Sequence, residues 1–442
     1  MSFYLKKIIL ILGDAAIFYF SLTLTVLIRY PYSNAIVWRH HFYSFSLILP
    51  VWIVIFYIAD LYNLQKAQNT LDFFTTLTKA LVSCFTFAVI IFYFFPIFGI
   101  TPKANLFLDL ALFSILIIIW RQIFNHLAKS TFQIPLAIIT QNPQNERIAN
   151  ITHFIDCHPQ LGYRINLIIQ PTTPISQIRQ LIKTKKIQLV IIDQIKPQGT
   201  SVQIFQLVSS LNIDPINLTS AYEKIAGYFP LSIINEEWIS QYYSDSISQS
   251  QKIIKRIFDL IVSLILLPIF CLLYPLIALL IKINSAGPAI YCQKRIGQKE
   301  KKFILYKFRT MQISAEKNGP QWAQPNDPRI TLVGKFLRKA HLDELPQIIN
   351  IIRGEISLVG PRPERPEFVN YLKQEIPFYY LRHLVKPGIT GWAQINFRYG
   401  RSIKDTIRKL EFDLWYIKNQ SIWTDLKIIL KTIRLFFPQK DE

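Results

Sequence analysis

Apolar residues fall in long unbroken blocks at the start of the chain and in short runs alternating with helical patterns further on, so the period of the pattern divides the sequence. The first block, Ile8 to Ile28, has 21 positions and one charge, Asp14, and follows the basic pair Lys6 and Lys7. It is long for the core of a cleaved leader and lacks a convincing cleavage site, which predicts an uncleaved membrane helix. At ~1.5 Å per residue such a block reaches about 30 Å, the depth of bilayer hydrocarbon. Further blocks near Phe42 to Ile58, Leu77 to Ile100 and Ala104 to Phe124 bring the expected spans to four within residues 1–130. With the N-terminus in the cytoplasm, Lys6, Lys7, Lys66, Lys79, Arg121 and Lys129 flank the inner side, against Arg29, Arg39 and Lys103 outside, the bias of the positive-inside rule. Asp109, inside the fourth block, is read as a helix-end or packing residue ahead of an intramembrane functional carboxylate.

Beyond residue 131 the pattern becomes that of a small α/β domain, extending to 243. The runs at 134–140, 163–170 and 187–193 read as strands, and 146–156, 176–186 and 201–211 as helices, which predicts a parallel sheet. After the first strand the chain reads TQNPQNE, without the glycines that let backbone amides approach a pyrophosphate. A structural or regulatory role is favoured, with nucleotide or small-ligand binding the alternative.

A polar stretch, Ser244 to Gln251, precedes another apolar segment, Lys255 to Lys282, interrupted by Pro268 and Pro275. Proline removes a helical hydrogen bond and clashes with the preceding turn, so a kink or a re-entrant path is expected. Lys252, Lys255 and Arg256 stand before the segment and Lys282, Lys294 and Arg295 after it. A dip into one leaflet and return explains two basic ends better than one crossing; a bent transmembrane helix is the alternative. The rest, counted as a domain over 251–442, is basic and interleaves cations with Phe378, Tyr379, Tyr380, Trp415, Tyr416 and Trp423, as suits a membrane interface.

Composition sharpens the choice of partner. The 442 residues carry 49 Lys and Arg against 28 Asp and Glu, a net charge of +21. Nucleic acid would be the first partner to consider for a soluble protein of that charge. Only 17% of residues are charged, however, while 51% are hydrophobic and 14% aromatic, so lipid is the dominant solvent of at least one region and disorder is excluded. Cys84, Cys157, Cys271 and Cys292 are far apart and show neither metal-ligand spacing nor a disulfide framework.

Three clusters in the last region point to phosphate chemistry. If KFRTM (307–311) is extended, Lys307 and Arg309 share a face and could clamp a diphosphate. In LRKAHLDELPQIINIIRGE (337–355), Asp343 and Glu344 are adjacent and diverge by about 100° on a helix, which permits one to attack phosphorus while the other holds a divalent cation. Pro346 suits a first helical turn there, and a pair of favourable N-terminal helix charges is the competing reading. SLVGPRPERPEF (357–368) carries Arg362 and Arg365 on a proline-stiffened loop, before VKPGITGWAQINFRYG (385–400).

In this order KFRTM, LDELPQ, SLVGPRP and KPGITGWAQIN resemble the bacterial sugar transferase family, the monotopic polyprenyl-phosphate phosphoglycosyl transferases. The whole arrangement resembles the large members that prime exopolysaccharide or O-antigen synthesis. The resemblance implies a four-helix transmembrane bundle, a degenerate Rossmann-like cytoplasmic domain and a transferase domain with a re-entrant helix. It implies that Asp343 is the nucleophile, that Glu344 helps hold Mg2+, and that Lys307, Arg309, Arg338, Arg362 and Arg365 surround the phosphates. The expected reaction moves hexose 1-phosphate from a nucleoside diphosphate sugar, UDP-glucose or UDP-galactose first, to undecaprenyl phosphate; a UDP-N-acetylhexosamine or modified sugar, or a non-catalytic scaffold or sensor, is the alternative. Expected surroundings are the membrane lipids of the bacterial inner membrane, with the catalytic domain in the cytoplasm, a homodimer, and no nucleic acid. Two departures stand out: Cys271 and Leu272 occupy the positions of a usual Ser-Pro pair, and Ala340 and His341 replace a small hydroxyl residue before the dyad.

Overall fold

The computed structural model describes residues 3–32, 35–94, 103–130, 132–193, 198–213, 215–236, 238–240, 249–316, 327–397 and 402–436. Contacts divide the chain into two units, Met1–Ala226 and Gly227–Glu442.

The first unit begins with α1 (Phe3–Arg29), α2 (Ala35–Ser46), α3 (Leu49–Ile58), α4 (Leu71–Phe94) and α5 (Lys103–Ser130). Among the described residues five stretches are long and apolar enough to cross a membrane, four of them in this unit, Leu5–Arg29, Ile36–Ile58, Leu71–Phe94 and Asn105–Ser130, and the fifth, Gln249–Asn284, in the other. The second is two helices, α2 and α3, where the apolar pattern read as one. Pro50 lies in the first turn of α3, where its missing N–H costs nothing, and so starts a new helix. The expected end of the third block, residues 95–100, lies outside the described residues. Phe18, Trp52 and Phe113 pack ring to ring at the centre, with centroids 5.3 Å (Phe18–Trp52) and 5.0 Å (Trp52–Phe113) apart. Arg121 is fully buried rather than an exposed flanking charge: it pairs with Asp14 and donates to the Leu61 carbonyl at 2.7 Å. Asp109 accepts a hydrogen bond from Ser21 at 2.8 Å.

The same unit continues as β1 (Ile134–Ile139), α6 (Glu146–Cys157), β2 (Tyr163–Ile169), α7 (Ile175–Thr184), β3 (Leu189–Ile192), α8 (Gln198–Ser210) and β4 (Pro215–Asn217). All strand pairs are parallel, in the order β2-β1-β3-β4. Leu136 to Ile139 are wholly buried because β1 is central, covered on both faces. The short β4, headed by proline, is the element the pattern missed. Where glycines are lacking after β1, side chains close the turn: Thr140 donates to Asp193 at 3.0 Å, and Asn145 caps α6.

The second unit carries α9 (Gln249–Asn284), 36 residues with Pro268 and Pro275 inside. One stripe, Asp259, Ser263, Phe270, Ile277 and Ile281, is buried, while Ile261, Leu264, Ile265, Leu272 and Leu276 are exposed. Three polar residues near its start tie it down. Lys255 pairs with Asp425 and donates to the Val359 carbonyl at 3.1 Å. Asp259 accepts from the Ser357 hydroxyl at 3.0 Å and the Leu358 amide at 3.1 Å. Arg256 donates to the Ile351 and Ile352 carbonyls at 2.6 and 2.7 Å.

After α9 come β5 (Ile290–Ile296) and β6 (Lys302–Phe308), an antiparallel hairpin with Gln293 opposite Leu305. Then follow α10 (Leu332–Lys339), α11 (Gln347–Arg353), β7 (Ser357–Val359), α12 (Pro366–Glu375), β8 (Gly388–Thr390), α13 (Trp392–Asn396), α14 (Ile403–Lys418) and α15 (Ile422–Thr432). β7 and β8 pair in parallel. One core gathers Phe229, Val369, Leu372, Tyr379, Leu410 and Leu414. A second joins Phe270, Ile277 and Ile281 of α9 to Phe308, Leu337 and Ile348. The apolar helix is therefore part of the folded core of this unit along much of its length.

Candidate active site

The carboxylate pair sits on a single 3₁₀ turn, Leu342–Glu344, between α10 and α11. Thr331 caps α10, and a Cβ on Gly334 would stand 2.1 Å from the Thr310 carbonyl, so only glycine lets α10 lie this close to the segment after β6. His341, at φ 52°, takes the left-handed conformation that reverses the chain into the turn. α11 starts after Pro346 and stops at Gly354, which has φ 78°.

Lys307 arrives from β6, one edge of which pairs with β5. Arg362 arrives from the loop after β7, fixed by hydrogen bonds from the Gly360 amide to the Thr390 carbonyl (2.9 Å) and from the Gly388 amide to the Pro361 carbonyl (3.0 Å). The backbones approach so closely that a Cβ on Gly388 would lie 2.1 Å from the Gly360 nitrogen. Arg382, itself buried, holds the Arg362 carbonyl at 2.9 Å and is balanced by Asp413 at 2.9 Å and the Tyr379 hydroxyl at 2.7 Å.

These elements converge on Glu344. Its Oε1 accepts from Lys307 at 2.8 Å and from Arg362 at 2.7 Å, while Oε2 accepts no hydrogen bond among the described residues. Asp343 is 9% exposed, and its carboxylate accepts no hydrogen bond among the described residues. Arg338 donates through Nε to the Thr310 hydroxyl at 2.9 Å, and its charge acts on Asp343. Burial, and then the Glu344 charge, push Asp343 above the usual carboxylate range, against Lys307, Arg338 and Arg362. For Glu344 burial works the same way, but Arg362 and Lys307 outweigh it and hold this carboxyl well below its ordinary value. Burial lowers Lys307, with Glu344 opposing. The outcome is a difference between neighbours: one carboxylate is held ionised by two cations on a single oxygen, and the other is buried with neither oxygen accepting a hydrogen bond among the described residues.

Lys307 and Arg362 both meet Glu344, and the charges of Lys307, Arg338 and Arg362 act on Asp343, so these five residues lie together. Arg309 does not join them. β6 ends at Phe308, so the alternation that would have put Arg309 on the face of Lys307 stops one residue short. Its Nη2 instead donates to the Ser285 carbonyl (2.9 Å), the Ser285 hydroxyl (3.0 Å) and the Gly287 carbonyl (3.3 Å), closing the end of α9. Arg365 also stands apart from the dyad: it is the residue before α12, with Glu367 3.8 Å from its Nε. Pattern reading missed Arg382 and Asn350. It recorded Arg295 only as a flanking charge, although Arg295 donates to the Pro363 carbonyl at 2.9 Å and braces the Arg362 loop.

No group of three His, Cys, Asp or Glu side chains able to hold a metal occurs among the described residues. A pair of carboxylates with Glu344 Oε2 uncommitted fits a hard cation that takes most of its ligands from water and substrate oxygens.

Residues 250–439 match the bacterial sugar transferase family. The UDP-N-acetylgalactosamine-undecaprenyl-phosphate N-acetylgalactosaminephosphotransferase of Aeromonas hydrophila is 48% identical over 181 residues, 41% of this chain and 43% of that one. A UDP-glucose:undecaprenyl-phosphate glucose-1-phosphate transferase of Xanthomonas campestris is 31% identical over 322 residues, 66% of this chain and 65% of that one. The protein of the same name from Caulobacter vibrioides is 40% identical over 181 residues, 40% of this chain and 68% of that one. The match to the Aeromonas protein thus spans less than half of its length. With the dyad, the cations around it and the docked apolar helix all inside the matched region, the chain belongs to the bacterial sugar transferase family.

Proposed function

We propose that the protein transfers hexose 1-phosphate from a UDP-sugar to undecaprenyl phosphate, releasing UMP, through a covalent intermediate on Asp343. The observation that carries this reading is the unequal pair: Glu344 is held by Lys307 and Arg362, while the adjacent Asp343 carboxylate is buried and engages no donor among the described residues. An Asp343 oxygen attacks the sugar-bearing phosphorus as the bond to the uridylate oxygen breaks, and UMP leaves with that electron pair. An oxygen of the lipid phosphate then attacks the same phosphorus, the acyl phosphate bond breaks, and the Asp343 carboxylate is restored. Lys307, Arg338 and Arg362 are fixed before substrate arrives, so they stabilise charge on the transferring oxygens without reorganising.

Mg2+ is the proposed cofactor, with Glu344 as its protein ligand; when bound it neutralises the diphosphate. The helix is proposed to enter and leave the same leaflet. Support comes from its buried stripe, Asp259 to Ile281, which packs on a single folded unit, and from the basic residues at both ends. The preceding regions are proposed as a four-helix bundle over 1–130 and a Rossmann-like domain over 131–243, with the transferase domain over 251–442 on the cytoplasmic side of the inner membrane. Glucose or galactose is the proposed sugar, and the name of the Aeromonas relative makes N-acetylgalactosamine the second donor to try.

The test is UMP release by the full-length protein in lipid, with a panel of UDP-sugars, with and without undecaprenyl phosphate and Mg2+, comparing wild type with D343N. Release with one donor that D343N abolishes, together with a phosphosugar adduct on the Asp343 peptide, is the expected result. A folded wild type that releases no UMP from any donor would overturn the assignment.

A further inference from the structure

Asn350 lies in the middle of α11, with no solvent exposure, and uses three of its hydrogen-bonding positions. Its Nδ2 donates to the Ile304 carbonyl at 2.7 Å and to Glu355 Oε2 at 2.6 Å, and its Oδ1 accepts from the Tyr306 amide at 3.1 Å. The first and third partners belong to β6. One edge of that strand is taken by β5, and on the other a single amide side chain occupies the C=O of residue 304 and the N–H of residue 306, as a neighbouring strand would. Lys307 is the next residue along β6, and the dyad is on the turn that leads into α11.

We propose that Asn350 is a positioning residue: it locks β6 to α11, the helix that follows the dyad turn, and thereby sets the reach of the Lys307 ammonium to Glu344. The physical argument is one of lever length. A lysine has four rotatable carbons, and a 2.8 Å contact held by so flexible a side chain requires both backbones to be fixed relative to each other. Apolar contacts of Phe308 and Ile348 keep the two elements together but do not fix sliding along the strand. Hydrogen bonds to two specific backbone groups do. Glu355, in turn, orients the amide, because its carboxylate can accept only from Nδ2, which selects the flip that leaves Oδ1 for Tyr306.

The inference rests on the proposed reaction for its kinetic readout only; a second readout is independent of it. Asn350→Asp keeps the size and the acceptor for Tyr306 but removes both donors and sets a carboxylate against Glu355. Asn350→Asp with Glu355→Gln removes the like charge and returns a donor to the carboxylate at 350, while the Ile304 carbonyl stays without one. In the full-length protein in lipid, amine-specific acetylation read peptide by peptide should show Lys307 reacting about tenfold faster in N350D than in wild type, other described lysines being unchanged, with a return toward wild type in the double variant. UMP release should fall about tenfold to a hundredfold in N350D and recover in part in the same double variant, which restores the hold on the Tyr306 amide but not on the Ile304 carbonyl. Asn350→Ser, a milder change, should give the same selective rise at Lys307 should N350D fail to fold. An unchanged Lys307 rate in folded N350D or N350S, or a double variant no better than N350D, would overturn the inference. Wild type inert with every donor, alongside a selective rise at Lys307, would overturn the proposed reaction and leave the positioning role standing.

Discussion

The sharpest quantitative test of the site is a double-mutant cycle on Lys307 and Glu344. The ammonium and the carboxylate oxygen are 2.8 Å apart, with the side chains 20% and 13% exposed, so solvent screens them only partly. For charge centres about 3.5 Å apart at an effective dielectric constant near 20, the Coulomb attraction is about 5 kcal/mol. Desolvation of both groups takes back a large part, as the downward push on Lys307 indicates, and Arg362 shares the same oxygen. A net coupling of about 2 kcal/mol is what remains, equivalent to about a 30-fold departure from multiplicative effects on kcat/KM. K307M, E344Q and K307M/E344Q would be compared by UMP release at saturating lipid phosphate. The double variant should be far less impaired than the product of the single losses predicts. Additivity within about 0.5 kcal/mol would mean the two groups act independently and would refute the account of the dyad.

Under the proposed reaction, activity should fall on the acid side with an apparent pKa above that of an ordinary aspartate, because the proposed nucleophile, Asp343, would attack only when ionised and burial raises its folded-state pKa; in K307M this limb should move to still higher pH, measured by UMP release across a pH series. Arg309→Lys should lower the melting temperature by a few degrees while the KM for the donor stays within about twofold, since the guanidinium closes α9 through Nη2 and the shorter lysine side chain would not carry its ammonium to the place of Nη2 between the Ser285 and Gly287 oxygens; a KM raised tenfold would return Arg309 to the phosphate site. Gly388→Ala should leave little folded protein by thermal melting, because the new Cβ would meet the Gly360 nitrogen at 2.1 Å and the Thr390 oxygen at 2.5 Å.

The candidate site was most legible where its residues are close in sequence. The dyad, the proline-stiffened loop and the strand lysine each announce themselves within a dozen residues. Arg309 misled because strand alternation extends only as far as the strand, and β6 ends at Phe308. Arg382 and Asn350 were invisible for the opposite reason. Nothing local marks either one, and their roles consist of bonds to backbone 20 and about 45 positions away. In the first unit, Pro50 was the available signal for the break in the second apolar stretch, whereas the Asp14–Arg121 pair is a product of helix packing that hydropathy cannot register.

The docking of α9 has a consequence for how such an enzyme would meet its acceptor. Because the helix is built into the core of the unit that bears Asp343, and Arg256 at its start donates to the end of α11, the proposed seating of α9 in one leaflet would make the height of the carboxylate above the hydrocarbon a constant of the fold. An acceptor lipid would not have to be lifted out of its leaflet; encounter becomes a lateral, two-dimensional search. Turnover should then follow the mole fraction of acceptor in the bilayer, falling when inert lipid dilutes it at fixed bulk concentration.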